Sequence, residues 1–100
     1  MAYKIVWTEE ARSAYRQTIE YLETYFSDKE IIRFTKHTLR KIAFIESNPR
    51  TYRRSQKANN IHYTNILRRV LLVYRVMPHK KVVQIILFWD GRRNPKKFKY

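Results

Sequence analysis

The side chains able to do chemistry in this chain are cationic and aromatic, and they crowd toward its carboxyl end. Arg68, Arg69, Arg75, Arg92, Arg93, Lys96 and Lys97 are candidates for contact with an anionic target. Phe98 and Tyr100, spaced by lysines, add rings that stack on bases or dock a partner. Asp90 can pair with only one of Arg92 and Arg93, which leaves at least one guanidinium for surface recognition. Of the three histidines, His37 is assigned to the polar side of a helix and His79, beside Pro78, to a turn; His62 alone is a candidate general base. Even there a packing role weighs more heavily, because a lone histidine without a placed partner is a weak catalytic signal. Cysteine is absent, which removes thiol nucleophiles, thiolate metal sites and disulfides. The histidines are far apart in sequence and the acids concentrate in helical segments, so neither a metal ion nor another cofactor is implied.

These groups sit in an uneven field. Residues 49–100 hold fourteen Lys or Arg against the single acid Asp90, whereas residues 1–48 hold eight basic and seven acidic side chains. A field of one sign raises the encounter rate with phosphate or acidic protein surfaces. The first half therefore reads as scaffold, and the second as a shared cationic contact zone on the sheet and tail. With 100 residues, 44% apolar content and one glycine, the chain has material for a single domain over residues 1–100. No run approaches the roughly 18 apolar residues a spanning helix requires, so no membrane association and a cytoplasmic location are expected.

The elements that must carry the cations follow from periodicity. Tyr3, Ile5 and Trp7 alternate with Ala2, Lys4 and Val6, predicting a short strand. Thr8 is placed to cap a helix from Glu9 to about Phe26, with Glu9 and Glu10 at the positive end of its dipole. Ala11, Tyr15, Ile19, Leu22 and Phe26 form its apolar face. Ser27 and Glu30 have the spacing of a capping box opening a second helix. Its predicted buried stripe is Ile31, Thr35, Thr38, Ile42 and Ile45, flanked by Phe34 and Leu39, and Pro49 ends it. The short link between the helices predicts an antiparallel hairpin. Arg50 to Asn60 reads as a mobile basic connection. Strand-like runs follow at 61–67, 71–77 and 82–89, with turns at Arg68-Arg69 and Pro78-His79-Lys80. The last run is apolar on both faces, as in a central strand. The fold class is α+β: an amino-terminal strand, a two-helix antiparallel hairpin, then three antiparallel strands in a twisted sheet.

The opening Tyr3-Lys4-Ile5-Val6-Trp7-Thr8-Glu9-Glu10-Ala11, the helix ending in Asn48-Pro49, the strand Leu72-Val73-Tyr74-Arg75-Val76 and the run Phe88-Trp89-Asp90-Gly91-Arg92-Arg93-Asn94-Pro95 together resemble the RelE/ParE superfamily of bacterial type II toxins. The resemblance implies a toxin neutralised by a cognate antitoxin, directed either at messenger RNA in the ribosome, as in the RelE branch, or at DNA gyrase, as in the ParE branch. In RelE-type cleavage the RNA's own 2′-hydroxyl attacks, so the protein supplies a proton acceptor, a proton donor and cations for the developing charge. Carried across by position, the branch's strand lysines fall on His62 and Thr64, and a strand arginine falls on Leu71. Arg92 retains the carboxy-terminal arginine; the tyrosine position falls on or near Phe98, with Tyr100 two residues further on. A nuclease reading would thus rest on Arg92, His62 and Tyr100. The departures, with the long helical hairpin, lean toward the ParE branch. The antitoxin is expected to carry an acidic segment that orders in the groove between hairpin and sheet. A non-toxic basic nucleic-acid-binding module is the remaining alternative.

Overall fold

The computed structural model describes residues 2–90. The elements run β1 (Lys4–Trp7), α1 (Glu9–Tyr25), α2 (Asp28–Ser47), β2 (Arg53–Arg54), β3 (Ile61–Ile66), β4 (Val70–Met77) and β5 (Val82–Asp90). The five strands form one sheet in the order β1-β5-β4-β3-β2, antiparallel throughout except that β1 runs parallel to β5. The helical hairpin covers one face.

A single residue joins the first strand to the first helix. The Thr8 hydroxyl oxygen accepts from the Ala11 amide at 3.0 Å, capping α1, and donates to the carbonyl of Ile86 at 3.0 Å. Ile86 is the extra residue of a bulge, because Val73 pairs with Leu87 while Tyr74 pairs with Ile85. A bulge leaves backbone groups outside the ladder, and Thr8 satisfies one of them.

The core lies between hairpin and sheet. Tyr15 of α1 stacks on Phe34 of α2 and meets Phe88 and Trp7 edge-on, with ring centroids 5.2–5.5 Å apart. Trp7 also stacks on Phe88. One aromatic group thus unites β1, β5 and both helices, each ring pair contributing about 0.5–1.5 kcal/mol beyond its buried area.

Three expectations are corrected. Ser27 makes no side-chain capping bond; its carbonyl instead accepts from the Glu30 amide at 3.0 Å. Ser27, Asp28 and Lys29 are open to solvent, so water can satisfy the first amides of this helix without the side chain. Along α2, Phe34 is fully buried with Thr38 and Ile45, whereas Leu39 is 61% exposed, one residue and about 100° of helix past Thr38. The segment 50–60 is folded rather than a loose connection. Arg53 and Arg54 pair with Tyr63 and His62, and the buried Ser55 hydroxyl accepts from the amides of Lys57 and Ala58.

Both tight turns lack glycine, as the sequence requires, and residues with side chains take its place. Leu67 (φ 57°) and Lys81 (φ 55°) adopt left-handed backbone beside the two β-hairpin turns, and Asn60 (φ 61°) does so before β3. For a residue such as Leu this geometry costs about 1–2 kcal/mol, so surrounding contacts must hold it.

Candidate functional site

Among the described residues, Arg68 and Arg69 precede the Val70 end of β4, and Arg75 lies toward its Met77 end with Lys80 in the turn beyond.

At the Val70 end lies a groove of about 570 Å³ between the helical hairpin and the sheet. Ala14, Leu22, Phe34, Val70 and Phe88 supply its apolar lining, and Arg33, Arg68 and Arg69 its cations. The turn after β3 brings Arg68 and Arg69 here, and both are exposed. Arg33 comes from the first half of the chain, where periodicity marks only a solvated helix position. The hairpin alone delivers it to the same concavity. Glu30 and Asp90 also line the groove.

His62 and Thr64 alternate on β3 and point toward the helices. His62 is 5% exposed, with its ring stacked on Tyr74 at 5.5 Å. Its Nδ1 lies 2.9 Å from the Tyr52 carbonyl, which only accepts, so that nitrogen carries the proton. Tyr74 is fully buried, and its hydroxyl donates to the Pro49 carbonyl at 2.7 Å. Burial, with a smaller contribution from nearby Tyr52, raises the Tyr74 phenol well above its ordinary value of 10.0. These two bonds fasten the segment after α2 onto the sheet. Thr64 accepts from the Lys41 ammonium at 3.2 Å, and Leu71 is half-buried.

At the other end of β4, Arg75 is half-buried beside a second, smaller concavity near the turn 78–81. Arg92, Arg93, Lys96, Lys97, Phe98 and Tyr100 lie outside the described residues. Among the described residues, no group of three His, Asp or Glu side chains is arranged to hold a metal ion, and no helix is long and apolar enough to cross a membrane.

A hairpin of two helices over a mainly antiparallel sheet, with a parallel first strand, is the architecture of RelE/ParE-like toxins. Residues 5–95 match the model of the ParE toxin of type II toxin–antitoxin system, parDE, and the chain belongs to that family. In structure it is similar to a chain of the chromosomal ParDE system from P. aeruginosa, with a TM-score of 0.72 and 13% identity, covering 89% of this chain and 96% of the other. It is likewise similar to the isolated E. coli RelE toxin, with a TM-score of 0.68 and 18% identity, covering 95% and 90%. No curated protein matches the chain in sequence.

Proposed function

We propose that the chain arrests growth as a non-enzymatic inhibitor of DNA gyrase and is silenced by a cognate antitoxin. The observation that carries the choice of target is the placement of His62. A general base must reach the proton it removes, and this imidazole is buried, stacked and bonded through Nδ1 to a backbone carbonyl. The neighbouring positions carried over from the nuclease pattern are equally occupied, Thr64 by Lys41 and Leu71 by an apolar side chain. Arg92 and Tyr100 alone would leave cleavage of RNA without a strand-borne proton acceptor.

The groove at the Val70 end suits the antitoxin. Its apolar lining accepts anchors spaced along an amphipathic segment, while Arg33, Arg68 and Arg69 favour acids flanking those anchors. The partner is thus expected to be acidic where it touches the toxin and to order on binding.

Two assays separate the targets. Purified chain should stall supercoiling by gyrase and leave translated messages intact. Codon-specific cleavage of messages in a translating extract, lost on R92A, would move the chain to the RelE branch. Growth unaffected by induced expression would leave a basic binding module without toxicity.

A further inference from the structure

The second concavity is built from two places in the sequence and brings two cations together with the apolar Val76, Met77 and Pro78 in one lining. It has a volume of about 290 Å³ and is lined by Asn60, Arg75, Val76, Met77, Pro78, His79 and Lys80. Arg75 comes from β4, His79 and Lys80 from the turn that follows it, and Asn60 from the segment preceding β3. The rim is fixed by backbone bonding: the Asn60 carbonyl accepts from the Val76 amide at 2.8 Å, and the Lys80 amide donates to the Met77 carbonyl at 3.2 Å. Among the described residues, no carboxylate lines it. Among the described residues, no oxygen accepts a hydrogen bond from the Arg75 guanidinium, although the residue is half-buried. The adjacent Lys81 is engaged elsewhere, its ammonium lying 5.4 Å from the centre of the Tyr3 ring.

We propose that this concavity binds a phosphate group, either free phosphate or the terminal phosphate of a nucleotide. Arg75 offers a planar fork of donors, Lys80 a second permanent cation, and His79 and Asn60 further polar groups in the same lining. A single carboxylate would satisfy the arginine and leave the lysine unmatched. A phosphate monoester, carrying about −1.5 to −2 at neutral pH, matches both fixed charges. The concavity lies at the opposite end of β4 from the antitoxin groove, so occupancy of one need not displace a ligand from the other.

The test is amide NMR on the full-length chain, titrated with inorganic phosphate against chloride at matched ionic strength, and in parallel with a nucleoside 5′-monophosphate and its nucleoside. Saturable shifts should centre on the amides of Asn60, Arg75, Val76, Met77, His79 and Lys80. Arg75→Gln should weaken binding by roughly tenfold or more, since a charge-assisted fork is lost. Lys80→Gln, an exposed turn position that does not threaten folding, should weaken it by a smaller factor, and Lys36→Gln on α2 should leave it unchanged. Tighter binding of the nucleotide with a silent nucleoside assigns the phosphate to a nucleotide, and equal affinity assigns bare phosphate. Unsaturable shifts, shifts centred on Arg68 and Arg69, or affinity indifferent to both Arg75→Gln and Lys80→Gln would overturn the proposal.

Discussion

The hydroxyl of Tyr74, on a central strand, donates to the carbonyl of Pro49 at 2.7 Å, and both residues are buried. The bond ties the end of α2 to the sheet and satisfies an acceptor that water cannot reach. Tyr74→Phe keeps the ring and its stacking on His62 but strands that carbonyl. Equilibrium denaturation should show a loss of about 1–3 kcal/mol with an unchanged denaturant slope. A loss within measurement error would mean that the carbonyl finds another donor.

The same phenol makes stability depend on alkaline pH. Its folded value is raised above the ordinary 10.0 by burial, so below pH 10 neither the folded nor the unfolded chain ionises it and its contribution is fully present. Above pH 10 the unfolded chain releases the proton while the folded chain retains it, and stability falls by up to about 1.4 kcal/mol per pH unit until the folded value is passed. The advantage of wild type over Tyr74→Phe should therefore be constant from pH 7 to 9 and shrink above pH 10; a constant difference through pH 11 would contradict the assignment.

Thr8 and Ser27 precede the two helices with the same apparent chemistry but different bonds. Thr8 accepts from Ala11 and donates to Ile86, so Thr8→Ala should cost about 1–2 kcal/mol. Ser27 makes no side-chain capping bond, so Ser27→Ala should change stability by less than about 0.5 kcal/mol. Thermal melts of the two variants side by side check the contrast, and equal losses would refute it.

Charge in the groove should govern capture by the antitoxin. Reversing Arg68 and Arg69 together to Glu, on an exposed turn, should leave the fold intact and weaken the complex by roughly tenfold or more, chiefly at low salt. Isothermal titration of the antitoxin's toxin-binding segment into each protein measures this. Affinity unchanged by the reversal would place the segment elsewhere.

Legibility in the sequence followed how local each signal was. Thr8, the alternation from Tyr3 to Trp7 and the apolar run before Asp90 depend on near neighbours, and each became the expected cap or strand. The bulge at Ile86 left no mark, because every residue around it is apolar and the register is set by the opposite strand. The pairing of Arg53 and Arg54 was equally hidden: two residues are too few for a periodic pattern, and β3 supplies their partners. Among the cations, charge asymmetry pointed to Arg68, Arg69 and Arg75 but not to their division between two concavities. Arg33 was missed because an exposed helical arginine looks alike whether it faces open water or a groove. His62 shows the converse, since its burial depends on Tyr52 and Tyr74, ten and twelve residues away.

The most direct measurement of the central claim is a supercoiling assay with purified gyrase, relaxed plasmid and increasing amounts of the chain, alone and with its antitoxin. Dose-dependent loss of supercoiling that the antitoxin reverses is expected, with no cleavage of messages in a parallel translation reaction. Full supercoiling at every dose, with messages cut within codons in the translating extract, would contradict it.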